Sequence, residues 1–485
     1  MGILTVILLI PIIGAALVAV TPKRFVSSIR PIAILTAAIC LIVSWSLLIS
    51  FVNSSAELQF AEHIPWNPRL GTSYSVGIDG ISLPLILLAT LLCFIAILSS
   101  HKFEEQSKGY YSLMLLLESA LLGVFVAQDW SLFYIFWELT LIPLFFLIDR
   151  WGGKRKHQAA LNFVLYTMGG SVFMLVSLLL VFDSMPAHSF AMVDMLAAPE
   201  YIEHGTQILI FLGFMIGFGV KIPIVPLHGW LSLAHVEAPS PVSILLSGIL
   251  LKMGAYGLIR AAMMLPGAIE ALQEVLMGIA LFGIVYGGLL AWRQSDLKSM
   301  IAYSSISHMG VVVLGIATLS VTGFIGTVAQ MVAHGLVAGT LFLLIGLLYG
   351  LTGTRDVNDY SSLVRSMPRF AFFTVVAFIA VVGIPGTAGF ISEFHIMIAG
   401  YDEWGLLVIV LSLGVMISAA YAIRTVVRLF SGPVREQMRD LPDLSRIDFI
   451  AVAILVFWII ILGVFPSLLL NIISTSAKNL SQVFK

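Results

Sequence analysis

Long apolar runs, cut by short charged or turn-forming stretches, make up most of the chain. A helix needs about 20 apolar residues to cross a bilayer. Cutting at charges and turn residues gives about fourteen such runs, over 3–21, 31–52, 81–100, 110–128, 131–149, 159–182, 206–227, 240–262, 270–292, 300–318, 322–350, 371–399, 404–430 and 448–474. The pattern predicts an all-α membrane protein of about 14 transmembrane helices. The longest connections, 53–80 and 183–205, read as loops, and no stretch is long and polar enough for an extra soluble domain. The first run has no basic residue ahead of it and is followed by Lys23 and Arg24, which fits a transmembrane helix better than a signal peptide.

Composition agrees. Hydrophobic residues are 59% and charged residues 11% of 485, against roughly 45–50% and 25% in soluble proteins. A mean hydropathy of +1.04 leaves too little polar surface to cover a water-soluble core. The charges balance, 25 Lys and Arg against 26 Asp and Glu, which argues against nucleic-acid binding. Cys40 and Cys93 sit in separate apolar runs with no disulfide, zinc or iron–sulfur spacing. No nucleotide loop or haem-attachment motif is present, so no cofactor-binding or metal-binding residue is expected in this chain, and any redox cofactor belongs to partners.

The basic residues give the orientation. Lys23, Arg24, Arg30, Lys102, Lys108, Arg150, Lys154, Arg155, Lys156, Arg293, Lys298, Arg355, Arg365, Arg369, Arg424, Arg428, Arg435, Arg439 and Arg446 all fall in or beside odd-numbered loops. The opposite face has Arg69, Arg260 at a helix end, and Lys478 and Lys485 in the tail. By the positive-inside rule the odd loops are cytoplasmic and both termini lie on the other side.

The other two basic residues, Lys221 and Lys252, fall inside spans, as do Glu118, Glu138, His308, His334 and Glu393. Each Lys or Asp at a helix centre costs about 2.5–3.5 kcal/mol, so two Lys and two Glu left alone would cost roughly 10–14 kcal/mol. One such residue often only joins two helices. Six of them, Glu138, Lys221, Lys252, His308, His334 and Glu393, with two Pro/Gly-interrupted helices at 221–226 and 383–389, predict an ion path. Lys and His exchange protons, whereas sodium calls for oxygen ligands, so protons are the expected ion. The two breaks lie about 160 residues apart, as do the starts of the fourth and ninth spans. That period covers five helices, an odd number, so spans 4–8 and 9–13 are expected to be inverted repeats. The corresponding division is 1–109, 110–262, 270–430 and 431–485.

Several motifs carry a resemblance. They are Asp129-Trp130, Phe136-Trp137-Glu138-Leu139-Thr140-Leu141-Ile142-Pro143, Lys221-Ile222-Pro223, Leu227-His228-Gly229-Trp230, Ala238-Pro239-Ser240-Pro241-Val242-Ser243, the Gly248–Gly257 segment around Lys252, and the Ile301–Gly310 segment around His308. Together they resemble the M-type antiporter-like subunits of proton-pumping NADH:quinone oxidoreductase (complex I), called NdhD in cyanobacteria and chloroplasts. The wider family includes Mrp-type cation/proton antiporter subunits, membrane-bound hydrogenase subunits and inorganic-carbon uptake subunits.

The resemblance implies a relay. Glu138 would pair with Lys221, Lys252 would be the central lysine, His308 and His334 would lie on the connecting axis, and Glu393 would be the terminal acid. It also implies a complex in which sibling antiporter-like subunits sit beside this chain in the lipid, while peripheral subunits hold flavin, iron–sulfur clusters and quinone. The Gly77–Ser82 segment also fits, with Asp79 read as a helix cap. One departure stands out: the family's Leu-Pro-Asp-Ala-His is here Leu231-Ser232-Leu233-Ala234-His235. His235 and His228 are accordingly read first as loop histidines and only as accessory proton groups alongside Glu118. Tyr303, Ser304 and Ser307 are read as satisfying backbone or water. The function expected is proton translocation driven by quinone reduction in neighbouring subunits, with NADH, NADPH or ferredoxin as donor. The alternatives are a Na⁺(K⁺)/H⁺ antiporter subunit and a subunit of an inorganic-carbon uptake complex.

Overall fold

A computed structural model describes residues 2–100 and 106–484; Lys102 and Lys485 of the charge pattern lie outside them. Among the described residues twelve helices are long and apolar enough to cross a membrane, and Ser82–Leu98 and Pro368–Val382 are shorter apolar helices. The fold is that of a multi-pass helical membrane protein.

Helices α1 (Ile3–Val20) and α2 (Ile29–Ser50) pack on each other and on α3 (Ser82–Leu98) and α4 (Ser107–Val126). Between α2 and α3, where a plain loop is expected, strands β1 (Gln59–Asn67) and β2 (Thr72–Ile78) form an antiparallel hairpin. So the protein is not strictly all-α. Pro65 and the polar run Glu62-His63 hide the strand alternation in the sequence. The hairpin holds the amino terminus: Glu62 accepts from the Gly2 and Thr5 amides at 2.8 and 3.0 Å, capping α1 from a distance. Gly71, with φ +59°, passes so close to the His188 carbonyl that a side chain there would collide with it.

The chain continues through α5 (Trp130–Leu139), α6 (Leu141–Trp151), α7 (Lys156–Ser184), the short α8 (Ala198–Tyr201) and α9 (His204–Lys221). Asp129 ties the start of α5 to the hairpin. Its Oδ1 caps α5 at the Ser131 amide (2.9 Å) and its Oδ2 accepts from the Ser73 amide (2.9 Å). The expected break after Lys221 is present. The chain leaves α9, turns through Pro223 and Pro226, and resumes in α10 (Leu231–Glu237) and α11 (Ser240–Leu245). A π-helical turn, Leu246–Leu250, joins α11 to α12 (Leu251–Met264), and the short α13 (Pro266–Ala271) follows.

The second half runs through α14 (Gln273–Arg293), α15 (Leu297–Ala317) and α16 (Val321–Thr352) to α17 (Pro368–Val382), then α18 (Ala388–Trp404) and α19 (Ile409–Phe430). The second expected break separates α17 from α18. Gly383 adopts φ +72°, ψ +45°, and Pro385 follows within the turn. Helices α12 and α15 are almost entirely buried, whereas α7 turns Leu161, Leu165, Val172 and Val176 outward as a lipid-facing side.

The last expected span, 448–474, is corrected. Helix α20 (Arg446–Val464) stops before Pro466, and α21 (Ser467–Gln482) is a separate amphipathic helix. Pro466 cannot continue α20. Leu469, Ile472, Ile473, Ala477 and Leu480 repeat at helical spacing and pack on α16, and Ser476 accepts from the Gly80 amide at 2.9 Å.

Candidate proton pathway

Lys221 is the last residue of α9 and is fully buried. The α5/α6 junction receives it. Pro143, in the first turn of α6, offers no amide to the preceding turn, and the two helices meet at Thr140 instead of running on. The Lys221 ammonium donates to the Trp137 carbonyl (3.3 Å) and the Thr140 hydroxyl (3.2 Å), and it sits 3.8 Å from the centroid of the Trp137 ring. The carbonyl end of α5 and the indole face both favour a cation. The expected direct Glu138–Lys221 pair is not formed. Glu138 is on the α5 face that carries exposed Ile135 and Leu139, and its Oε1 has no hydrogen-bond partner, although its charge still acts on Lys221.

The second half of the path is continuous. The wide π turn before α12 lets the Lys252 ammonium reach back to the Ser247 carbonyl at 2.6 Å. Its other partner is His334 of α16, Nζ to Nδ1 2.7 Å. The His334 and His308 rings are 5.6 Å apart between centroids, and His308 Nδ1 is 3.2 Å from Glu393 Oε1. Gln330 donates to the same carboxylate oxygen at 3.3 Å and is itself held by the Ser392 hydroxyl. A cavity of about 20 Å³ lies among Ser304, His308, Gln330, His334 and Glu393, enough for one water. Lysine, imidazole, imidazole and carboxylate thus follow one another at distances a proton crosses directly or through one water.

Residues 127–418 match the membrane family described as NADH:quinone oxidoreductase/Mrp antiporter, and residues 7–126 match the amino terminus of NADH-ubiquinone oxidoreductase chain 4. The chain belongs to this family. It is 39% identical over 479 residues to NAD(P)H-quinone oxidoreductase chain 4 2 of Thermosynechococcus vestitus, covering 96% of this chain and 89% of that one. It is 36% identical over 456 residues to NADH-quinone oxidoreductase subunit M of Rickettsia conorii, covering 93% and 92%. A chain in the structure of respiratory complex I from Thermus thermophilus with bound NADH superposes with a TM-score of 0.90 at 30% identity, over 99% of this chain and all of that one.

The accessory groups of this antiporter-family subunit separate. Glu118 of α4 is fully buried beside the Cys40 thiol of α2 and makes none of the contacts that join Lys252, His334, His308 and Glu393. His228 is half-exposed and meets Tyr286 edge-on at 5.6 Å. His235 is not a loop histidine: it lies on α10, fully buried, stacked 4.8 Å from Phe342, with both ring nitrogens unpartnered. Ser304 and Ser307 donate to the Ile301 and Ile284 carbonyls, as expected of structural hydroxyls.

Asp79 does more than cap α3. Its Oδ1 accepts from the Ile81 and Ser82 amides, and its Oδ2 binds Arg260 at 2.6 Å. Burial alone would push its carboxyl up, but the Arg260 guanidinium and these amides hold it below the usual carboxylate range.

Two groups escaped the sequence reading. Gln330 carries no charge and so gave no signal inside an apolar helix. Lys298 falls between the expected spans 270–292 and 300–318 and so reads as a loop charge, yet it lies in the first turn of α15 and is only 3% exposed.

Proposed function

We propose that this chain is the proton-translocating M-type membrane subunit of a quinone-reducing complex. The observation that carries the reading is the buried line Lys252–His334–His308–Glu393, whose members are joined at 2.7 and 3.2 Å on either side of a water-sized cavity. Every member can gain or lose a proton, and none but Glu393 offers the oxygen ligands a sodium ion needs.

The mechanism follows from the contacts. Lys221 rests on the carbonyl end of α5, with Glu138 acting on it through space. Charge displaced at Glu138 by a neighbouring subunit releases Lys221 from α5, and the released ammonium repels the proton on Lys252. That proton moves to His334, through water to His308, and out by Glu393. Residues 110–262 and 270–430 act as two inverted five-helix repeats, with 1–109 and 431–485 flanking them. The matching breaks after Lys221 and at Gly383 support that division. The basic segments around Arg155, Lys298 and Arg355 line one common cavity, which supports reading that face as cytoplasmic and both termini as non-cytoplasmic. Flavin, iron–sulfur clusters and quinone belong to partner subunits, and sibling antiporter-like subunits adjoin this chain in the membrane.

The test has two stages. Affinity purification of the chain from its native membranes in mild detergent is expected to bring peripheral redox subunits with it. Small membrane proteins without a redox subunit would make this an Mrp-type antiporter component instead. In the assembled complex, Lys221→Ala is expected to lose proton pumping, and unchanged pumping would overturn the mechanism.

A further inference from the structure

We propose that the cleft between the α16–α17 and α19–α20 loops binds the headgroup of an anionic phospholipid of the phosphatidylglycerol type, with its acyl chains on the outer side of α17 and α20. Three helix ends meet there: α19 stops at Phe430, and α17 and α20, which pack on each other, begin at Pro368 and Arg446. The two loops are pinned together. Ser361 and Ser362 donate to the Pro433 and Gly432 carbonyls at 2.6 and 2.7 Å, and Arg435 donates to the Asn358 carbonyl at 2.7 Å. Asp443 accepts from the Arg369 and Phe370 amides at 2.9 and 3.1 Å, which fixes the second loop to the start of α17. Between these anchors lies a cavity of about 500 Å³, within the roughly 300–1,000 Å³ of small-ligand sites.

The charges in the cavity are Arg365 from one loop and Arg439 and Glu436 from the other, beside the Ser362 and Ser366 hydroxyls. On the same face Arg355 is paired with Asp296, and Arg424 and Arg435 are held by backbone carbonyls. The Arg365 and Arg439 guanidiniums, by contrast, have no hydrogen bond or ion pair among the described residues. Two guanidiniums against one carboxylate leave one positive charge in excess. A phosphodiester carries one negative charge, and its two free oxygens suit the guanidinium fork. Glycerol hydroxyls beyond the phosphate donate to Glu436, whereas a choline headgroup brings its own positive charge and no donor. Directly on the membrane side of the cleft the surface is apolar. Phe372 is 62% exposed in the first turns of α17, and Phe449 and Ile450 are exposed at the start of α20. The Phe373 and Phe449 rings meet edge-on at 5.3 Å, joining the two helices under the Arg369 guanidinium, which lies 5.8 Å from the Phe449 centroid. A basic pocket opening onto such a face recognises a headgroup and its chains together rather than a free anion. The site lies outside the relay, and its chemistry does not depend on which ion the chain moves.

The experiment uses the assembled complex, purified from its native membranes and placed in lipid nanodiscs. A phosphatidylglycerol carrying a diazirine near the top of one acyl chain is crosslinked by light, and the labelled peptides are mapped by mass spectrometry. Label is expected on 368–373 and 446–450. Unlabelled phosphatidylglycerol is expected to lower it several-fold, while the same amount of phosphatidylcholine or of inorganic phosphate leaves it unchanged. Joint replacement by Arg365→Gln and Arg439→Gln is expected to lower the label several-fold as well. Joint Arg365→Lys and Arg439→Lys keeps the charge without the fork and is expected to fall between. Equal competition by phosphatidylcholine would make this ordinary boundary lipid, and competition by phosphate a free-anion site; either result overturns the proposal. So does label that is absent from both segments or undiminished in the glutamine variant. Native gels report assembly, and the competition series in the wild-type complex decides the question even where a variant fails to assemble.

Discussion

The Lys252 side chain and the His334 imidazole share one short hydrogen bond, 2.7 Å from Nζ to Nδ1, between the middles of two deeply buried spans, Ser240–Met264 and Val321–Thr352. At that distance a proton moves between the two nitrogens without either side chain swinging. Replacing Lys252 with Met keeps the length and removes the proton. A positioned proton-transfer group contributes roughly 100-fold or more to a transfer rate. Transport through this chain is therefore expected to stop, lowering the protons moved per electron while the complex still assembles. Dye-quench measurements normalised to quinone reduction check this.

Glu393→Gln separates hydrogen bonding from proton acceptance. The amide can still meet Gln330 and His308, so the fold is expected to hold, with an unchanged melting temperature in detergent. Proton exit is expected to fail. Proton pumping that survives this substitution would show that the path leaves the protein elsewhere.

Gly383 is required by both its backbone and its space. Its φ of +72° suits glycine, and a Cβ there would lie 2.9 Å from Glu393 Oε2. Gly383→Ala is expected to cost about 1–2 kcal/mol from the left-handed backbone alone and to push the carboxylate away from His308. Reduced thermal stability together with weakened pumping is the expected pair of results.

Asp79 and Arg260 lock β2 and α3 to the end of α12. Because the folded carboxyl is held below its ordinary value, the stability it contributes is fully present above the unfolded pKa of about 3.9 and is lost as pH falls through the lower folded value. Asp79→Asn is expected to cost about 3–5 kcal/mol, as when one partner of a buried pair is removed. The same substitution should abolish the dependence of stability on acid pH that this site produces. Melting curves of the purified complex between neutral and strongly acidic pH report both effects.

The helical fold was legible because a bilayer forces apolar runs of fixed length, and the candidate relay residues were legible because a charge inside such a run is costly. That is why Lys221, Lys252, Glu138 and Glu393 stood out, and why the two breaks could be placed from their prolines and glycines. What a side chain touches was not legible. Glu138 and Lys221 have the residue types of an ion pair, yet the α5/α6 junction presents a carbonyl and a hydroxyl to the lysine and turns the glutamate to another side. Lys298 shows the opposite failure. A lysine two residues after a helix cap has the sequence context of a surface charge, and only the packing of α10 against α15 buries it. The hairpin was missed because Pro65 and the polar Glu62-His63 pair hide its strand alternation, and α21 because it follows the long apolar α20 with only Pro466 to mark the break.

Lys252, His334 and His308 lie near the middle of their spans and Glu393 beside the break between α17 and α18, so on the proton-translocating reading the line they form runs sideways rather than across. A charge moving along it stays at nearly constant electrical potential. The work done against the transmembrane voltage, about 2.3 kcal/mol per charge for each 100 mV, falls instead on the short vertical legs that lead to the line and away from it. Voltage therefore opposes entry and exit while leaving the lateral steps almost untouched, and a rise in membrane potential should slow the loading and release of protons before it disturbs the transfer between lysine and histidine.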